Sequence, residues 1–114
     1  MARRAAPVLN EILRAIEGIQ VALAGKAFTD FERDWLLNHA VQRGIEIISE
    51  ASRHLPPELK NTRPEIRWAS IAGIGNVLRH DYYAISSEII WKVIRDDLPP
   101  LKIAVRAMLD DLKE

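Results

Sequence analysis

Apolar residues recur at steps of three and four along the chain, and this spacing limits the fold more than any other feature. Between Pro7 and Gly25 they are Val8, Leu9, Ile12, Leu13, Ile16, Ile19 and Leu23. Such spacing puts the apolar side chains on one stripe of a helix, and Gly25 is suited to end that helix. No segment alternates apolar and polar residues between hairpin turns, as strands do. The sequence therefore predicts an all-α fold.

A second helix is predicted from Thr29 to about Leu55. Thr29 with Glu32 three residues later has the spacing of a capping box, and Pro56 and Pro57 stop the helix at its other end. The apolar residues of this segment are Trp35, Leu36, Ala40, Val41, Ile45, Ile48 and Ala51.

The rest of the chain contains further helix signals at similar spacing. Pro64 suits the first position of a third helix, which carries Ile66, Ile71, Ile74 and Leu78 and ends near His80. Ser86 and Glu88 look like the next helix start, and "DDLPP" (residues 96–100) is predicted as a break with acidic capping residues. The last helix carries Leu101, Ile103, Ala104, Met108 and Leu112. Short connections predict an antiparallel bundle of four to five helices, and the first two helices leave an apolar face for a second subunit.

Length and composition fit one globular domain covering residues 1–114. Of the 114 residues, 48% are hydrophobic, and none is cysteine, which excludes a disulfide framework and thiolate chemistry. Apolar runs are shorter than the roughly 18 residues of a membrane span, and the N-terminus lacks the apolar core of a signal peptide. We therefore expect a cytoplasmic protein without a membrane segment. Because 16 basic residues balance 16 acidic ones, any RNA contact must come from a local patch.

A polar cluster, "RHDYY" from Arg79 to Tyr83, follows the apolar stripe of the third helix. A lone histidine at a helix end is more often a cap or a packed side chain than a ligand or catalyst. Asn76 precedes His80 by four residues and so shares its helix face. There it orients the imidazole, contacts a phosphate or makes a buried bond to the neighbouring helix. Tyr83 is expected in the core.

The sequence resembles the HepT-like toxins, which belong to the HEPN group of all-helical domains. The resemblance runs essentially from end to end. It rests on "VQRGIEIISEASRHLPPELK", on "RPEIRWASIAGIGNVLRHDYYAI" and on "SSEIIWKVIRDDLPPLK". It implies a HEPN-like helical bundle that dimerises through helix faces.

The family motif is an arginine followed by a polar residue and, a few residues later, by histidine, any residue and tyrosine. His80-Asp81-Tyr82 matches its second half, and Asn76 matches the polar residue. Gly75 stands where the motif arginine is expected. The resemblance implies metal-independent RNA cleavage at a homodimer interface, with no cofactor.

The chemistry of RNA cleavage explains why such a motif uses these residue types. The 2′-hydroxyl attacks the neighbouring phosphodiester, which requires a base, an acid and cations that stabilise the developing negative charge. Histidine suits the proton transfers because its unperturbed pKa is about 6.5. Arginine suits the phosphate because its guanidinium binds two oxygens at once.

Two other arginines are candidates for the missing phosphate contact. Arg79 directly precedes His80, and the two converge on one phosphate only where the helix frays, because helical neighbours diverge by about 100°. Arg43 lies on the second helix, at a position that looks like the family's own arginine there. Three alternatives stay open: relocation of the phosphate contact to Arg79, support from Arg43, or a weakened enzyme.

The resemblance also implies a partner for Tyr82. In this family a small nucleotidyltransferase antitoxin of the MntA type modifies the H-x-Y tyrosine with AMP. The alternative is that the Tyr82 ring packs and its hydroxyl makes a hydrogen bond.

Other residues read as structural. His39 and His54 have no partner at metal-ligand spacing, so no metal site is expected. The three tryptophans, Trp35, Trp68 and Trp91, are expected in the core or at a dimer interface, because a platform for stacking RNA bases needs exposed rings.

Two functions follow as hypotheses. The first is a ribonuclease toxin of a toxin–antitoxin pair, with His80, Arg79, Asn76 and Tyr82 in the site and Arg43 binding RNA. The second is a catalytically weak module that binds a nucleotidyltransferase partner and nucleotide, which Gly75 favours. A purely structural helical dimer is a third reading, and it leaves the polar cluster unexplained.

Overall fold

The computed structural model describes the backbone of residues 2–80 and 86–113 and the side chains of residues 5–78 and 86–113. This part of the chain is helical and contains no strand, as the apolar spacing predicts. Its helices are α1 (Ala2–Leu23), α2 (Phe28–Arg33), α3 (Trp35–Arg53), α4 (Pro57–Lys60), α5 (Trp68–His80), α6 (Ser87–Lys92) and α7 (Leu98–Leu112), with a π-helical segment (Val93–Asp97) between the last two.

Helix α3 lies between α1 and α5, and α1 also packs against α7. Neighbouring helices run antiparallel: Gln20 and Glu17 of α1 bond Lys102 and Arg106 of α7, so residue numbers rise on one helix as they fall on the other. The predicted stripes form the core, with Leu9, Ile12, Ile16, Val41, Ile45, Ile48, Leu101, Val105 and Met108 almost fully buried. The all-α bundle is therefore confirmed, with α1, α3, α5 and α7 as its long helices.

The start of the predicted second helix is wrong in detail. The helix begins at Phe28, and the carboxylate of Asp30 accepts a hydrogen bond from the backbone N–H of Ala27 at 2.7 Å, so Thr29 does not cap it. The helix is also interrupted at Asp34, whose extended backbone ends α2. The Asp34 side chain accepts from the N–H of Leu37 at 3.0 Å and thereby caps α3.

The third long helix begins at Trp68, so the prediction that it starts at Pro64 is wrong. Pro64 lies in a turn that follows α4. The indole N–H of Trp68 donates to the carbonyl oxygens of Lys60 and Arg63, both at 3.1 Å, and holds that turn closed. These contacts form only in the folded chain, which is why the proline alone suggested an earlier start.

The start of α6 is confirmed, whereas the predicted break at residues 96–100 is wrong. The hydroxyl of Ser86 accepts from the N–H of Ile89 at 3.2 Å and caps α6. The chain then continues through the π-helical segment into α7, and the "PP" pair falls in the first turn of α7, where the missing N–H groups remove no hydrogen bond within α7 itself. Asp97 makes no cap and instead accepts from Arg67 at 2.8 Å.

A few apolar side chains do not join the core. Trp35 and Leu36 are exposed, so Trp35 does not lie in the core of the protomer, and Ile103 of α7 is exposed as well. Trp68 is partly buried, and Trp91 packs against Phe28 and Phe31. Within the described ranges no helix is long and apolar enough to cross a bilayer.

Candidate functional site

The last two turns of α5 carry three of the site residues predicted from the sequence, Asn76, Arg79 and His80. Asn76 is exposed, so the alternative in which it makes a buried bond to the neighbouring helix does not hold. Position 80 lies one turn later on the same face of α5, which ends there. The side chains of Arg79 and His80 lie outside the described part of the chain.

Two further sequence predictions fall where the structure describes neither backbone nor side chain. They are the role of Tyr82 in the H-x-Y motif and the expectation that Tyr83 belongs to the core. The AMP modification of Tyr82 and the alternative of a packed ring therefore stay predictions.

Gly75 is buried against α3, and the space beside its Cα is already filled. A Cβ at this position would lie 2.5 Å from Ser49 Oγ and 2.6 Å from Ser49 Cβ, closer than real Cβ contacts allow. Ser49 is fixed there, since its hydroxyl donates to the carbonyl oxygen of Ala72 at 2.8 Å and accepts from the N–H of Gly75 at 3.1 Å. Gly75 therefore allows α5 to approach α3 closely.

The contact with Ser49 also limits which side chains fit at position 75. An arginine there would need Ser49 and helix α3 to move, because Ser49 is itself buried and cannot swing into solvent. Position 79 lies one turn beyond Gly75, at the end of α5. The packing of α5 on α3 therefore leaves no room for the motif arginine at position 75.

Ser49 also belongs to a small polar contact that fixes the register of α5 on α3. The guanidinium of Arg53 donates to Ala72 O at 2.7 Å, so this carbonyl accepts from two α3 side chains one turn apart. Residue numbers rise along α3 as they fall along α5 through these contacts, which makes the two helices antiparallel. The end of α5 therefore extends toward the N-terminal half of α3.

Arg43 lies about 60° around α3 from Glu46, whose Cα would be 3.8 Å from a Cβ at Gly75. It is exposed and borders a groove of about 230 Å³ between α1 and α3, lined mainly by small or aliphatic side chains: Ala15, Gly18, Ile19, Ala22, Ala40, Val41, Gly44 and Ile47. Position 43 is about 120° around the helix from Ser49. In the described part of one protomer, Arg43 does not lie beside Gly75.

The outward face of α5 is defined by Ala69, Gly73, Asn76 and position 80, and the first two of these residues are small. These positions are spaced by four, three and four residues and so lie on one side of the helix. A Cβ added at Gly73 would have no heavy atom within 4 Å, in contrast to Gly75 two residues later. The face is open to another helix.

A buried asparagine of α3, Asn38, anchors the start of α6, which follows the motif in the chain. The amide of Asn38 donates to Phe31 O at 3.3 Å and to Ser87 Oγ at 3.1 Å, and its oxygen accepts from Gln42 at 2.6 Å. Asn38 thereby joins α2, α3 and the start of α6. Residues 81–85 connect the end of α5 to this anchored start of α6.

Sequence reasoning missed Ser49 and Asn38. Each is a polar residue at a core-facing position of α3, among Val41, Ile45, Ile48 and other apolar neighbours, and that misfit is the only signal in the sequence. Their partners lie 26 and 49 residues away along the chain, so the bonds themselves could not be read from spacing. Within the residues that the structure describes, no group of three or more His, Cys, Asp or Glu side chains is placed to hold a metal ion.

Comparison with known proteins gives a consistent result. The family model described as "Ribonuclease HepT-like" matches residues 12–108. A protein named "Putative RNase" from Caldanaerobacter subterraneus subsp. tengcongensis is 35% identical over 107 residues, covering 94% of this chain and 96% of that protein. The "Probable ribonuclease HepT" of Thermococcus cleftensis is 37% identical over 94 residues, covering 82% of this chain and 86% of that protein. No solved structure matches the chain.

Proposed function

Because the chain belongs to the ribonuclease HepT-like family, we propose that it is a metal-independent endoribonuclease that acts as a homodimer. His80 carries the proton, Arg79 binds the phosphate, and Asn76 positions the imidazole or the phosphate. The observation that carries this proposal is the outward face of α5, where the exposed Asn76 lies one turn before His80 on a surface otherwise made of small residues.

The outward face of α5 supports assembly around a two-fold axis. Ala69 and Gly73 add little bulk, so two copies of α5 can approach closely, as small residues allow at helix contacts. A symmetric contact uses the same patch on both protomers. The two His80 residues then lie on either side of the axis, in one shared cleft.

Two facing histidines complete the proton transfers of RNA cleavage. His80 of one protomer removes the proton of the 2′-hydroxyl, and the 2′-oxygen forms a bond to phosphorus. The bond between phosphorus and the 5′-oxygen breaks, and His80 of the partner subunit protonates that oxygen. The products are a 2′,3′-cyclic phosphate and a 5′-hydroxyl, with no metal or cofactor consumed.

The developing negative charge needs a cation, and Arg79 is the stronger candidate. Ser49 blocks a side chain at position 75, so a phosphate-binding arginine must come from elsewhere, and position 79 is one turn closer to the end of the helix. Arg43 is exposed on the neighbouring helix and serves the bound RNA more remotely.

We propose that the protein is the cytoplasmic toxin of a toxin–antitoxin pair whose antitoxin is an MntA-like nucleotidyltransferase. Transfer of AMP to Tyr82 places a bulky anion beside His80 and blocks the phosphate site by repulsion and by volume.

A second candidate function is a binding module that docks a nucleotidyltransferase and nucleotide without cutting RNA. Gly75 is the observation that favours it, because the family motif has its arginine there. The firm packing of Gly75 on Ser49 is compatible with both functions, since it fixes the helix and leaves the role of Arg79 open.

The deciding experiment is RNA cleavage by the unmodified protein in EDTA, with the absence of AMP verified by mass. Wild type should cut, and His80→Ala should lower the rate by at least about a hundredfold, in the usual range for loss of a general acid or base. Arg79→Ala should cost about as much, as does loss of one charge-stabilising donor.

The matched control is His54→Ala. His54 is an exposed histidine after α3, with a contact to Glu50 at 3.2 Å, and its loss should leave the rate within about twofold, since exposed ion pairs contribute little. Failure of the unmodified wild type to cut any RNA would rule out the ribonuclease and leave the binding module.

A further inference from the structure

A small cavity, called here the inner cavity, lies between α3, α5, the π-helical segment and α7. Its volume is about 130 Å³, close to the roughly 150 Å³ of an engineered protein cavity that binds benzene. Two polar residues, Ser70 and Asp97, stand in a wall that is otherwise aliphatic and consists of Ile45, Ile48, Ile71, Ile74, Val93, Leu98 and Leu101. The inner cavity therefore has the size and the apolar wall for a ring or branched chain of about six carbon atoms.

A second cavity of about 180 Å³, called here the outer cavity, adjoins the first on the solvent side. Ser70, Ile71 and Asp97 line both cavities, so the two meet at these residues. The rest of the outer wall is mostly polar or exposed and consists of Glu65, Ile66, Arg67, Asp96 and Pro100. A molecule with its apolar part in the inner cavity would thus extend a polar group past Ser70 and Asp97.

The π-helical segment forms part of the wall of both cavities. The N–H of Leu98 donates to the carbonyl oxygen of Val93, five residues earlier, whereas an α-helix pairs residues four apart. Pro99 and Pro100 come next, and a proline ring clashes with the carbonyl four residues before it in an α-helix. Short π-helical segments are rare and are frequent at functional sites. The segment therefore points to a ligand site independently of the volume of the cavities.

The carboxylate of Asp97 favours a ligand with a cationic hydrogen-bond donor. Its Oδ1 accepts from the guanidinium of Arg67 at 2.8 Å, and a carboxylate has further lone pairs on both oxygens. The Asp97 side chain is 27% exposed, so water screens a second bond only in part. Because a carboxylate can only accept, Asp97 binds an ammonium group and repels an anion.

The other charges of the outer cavity act in the same direction. Its wall carries three carboxylates and one guanidinium, those of Glu65, Asp96, Asp97 and Arg67. The nearest basic residues along the chain do not reverse this balance. Arg63 pairs with Asp111 at 2.9 Å, and Lys102 donates to Gln20 at 2.8 Å. Arg95 lines neither cavity, and carboxylates outnumber guanidinium groups even when it is counted.

We propose that the two cavities form a binding site for a small amine whose apolar body has about six carbon atoms. The apolar body fills the inner cavity, and the ammonium group donates to the Asp97 carboxylate and to the hydroxyl oxygen of Ser70. The inference does not depend on RNA cleavage, because none of the residues assigned to cleavage lines either cavity.

The test is a titration of isotope-labelled protein with benzylamine, toluene and benzoate, followed by the backbone amide signals in NMR spectra. The three compounds share a ring and differ in the group attached to it. Benzylamine should shift the signals of residues 70–74 and 93–98. It should bind at least about tenfold more tightly than benzoate, with toluene between them, because only the ammonium group gains a charge-assisted hydrogen bond.

Two variants separate the contribution of the charge from that of the cavity. Asp97→Asn should reduce the preference for benzylamine over benzoate to within about threefold, while toluene binds as before. Its matched control is Asp111→Asn, which removes the carboxylate of a similar ion pair, with Arg63, and should keep the full preference. Ser70→Phe replaces an exposed residue where the cavities meet and should weaken the binding of benzylamine and toluene about tenfold by filling the passage.

Thermal unfolding is recorded for each variant and should change little, because the substituted side chains lie at or near the surface. The absence of any shift at residues 70–74 and 93–98 in millimolar benzylamine overturns the proposal, as does benzoate binding as tightly as benzylamine. Unchanged affinity in Ser70→Phe would place the ligand outside the two cavities. Largest shifts at residues 15–22 and 40–47 would assign it to the groove between α1 and α3, which also contradicts the proposal.

Discussion

At the level of single residues, the pairing of Gly75 with Ser49 decides where a phosphate-binding arginine can stand. The backbone N–H of Gly75 donates to Ser49 Oγ, and the same hydroxyl donates to Ala72 O. Any larger side chain at position 75 competes with Ser49 for one space. A substitution at position 75 therefore first alters the packing of α5 on α3, whatever chemical group the new side chain carries.

Gly75→Ala should destabilise the protein even though alanine favours helices by about 1 kcal/mol. The new methyl group overlaps Ser49, and such overpacking costs roughly 1–3 kcal/mol. The free energy of unfolding, from urea titration, should fall in Gly75→Ala and recover in part in the Gly75→Ala/Ser49→Gly double variant. If Gly75→Ala were more stable than the wild type, Ser49 would move aside easily and would not restrict the side chain at position 75.

The polar cluster from Arg79 to Tyr83 could be proposed as a site from the sequence because its residue types stand together. Ser49 could not, since a serine in an amphipathic helix has no distinctive spacing, and its partner Gly75 is 26 residues away. The constraint on position 75 is a tertiary contact and needed the structure.

At the level of helices, α3 is the common support of the candidate site. Its Ser49 and Arg53 hold α5, and its Asn38 holds the start of α6. The helices that precede and follow residues 81–85 in the chain are thus both attached to α3. Changes in either attachment should affect activity without touching a catalytic group.

Asn38→Ala should lower both stability and RNA cleavage. It leaves Phe31 O and Ser87 Oγ without a donor, and an unsatisfied buried group costs about 1–3 kcal/mol. Thermal unfolding and cleavage rate are measured for this variant and for Asn10→Ala, an exposed asparagine on α1 that should change neither. Equal behaviour of the two variants would contradict a role for Asn38 in anchoring α6.

The helices could largely be predicted from apolar spacing, whereas several of their ends could not. Ser86 was recognisable because its cap is local. The interruption at Asp34 and the late start at Trp68 depend on bonds that the spacing of apolar residues does not report. The exposed Trp35 shows the same limit of prediction from sequence. An apolar residue on a helical stripe is predicted to be buried, and only the structure shows whether other residues cover it.

At the level of the whole molecule, the proposed shared cleft requires two copies that meet through the outward face of α5. A competing face exists, the groove between α1 and α3 that Gly18 and Arg43 border. Both faces contain a helical glycine with free space beside it, Gly73 on α5 and Gly18 on α1. The two glycines therefore permit a matched comparison.

Gly73→Trp should disrupt the dimer and abolish cleavage, because the indole separates the two α5 helices while leaving the protomer folded. Gly18→Trp should leave both dimer and cleavage intact. Light scattering gives the mass, and RNA cleavage is followed in the same samples. The opposite pattern, with only Gly18→Trp dissociating the dimer, would place the subunit contact on the α1–α3 groove and contradict the shared cleft.

The most direct measurement is cleavage of one oligonucleotide in EDTA by unmodified protein, as RNA and as its 2′-O-methyl counterpart. We predict that the RNA is cut to a 2′,3′-cyclic phosphate and a 5′-hydroxyl, because its own 2′-hydroxyl is the nucleophile, and that the 2′-O-methyl form stays intact. Cleavage of both forms, or cleavage of RNA only when a divalent metal is added, would contradict the central claim that His80 drives a metal-independent transesterification.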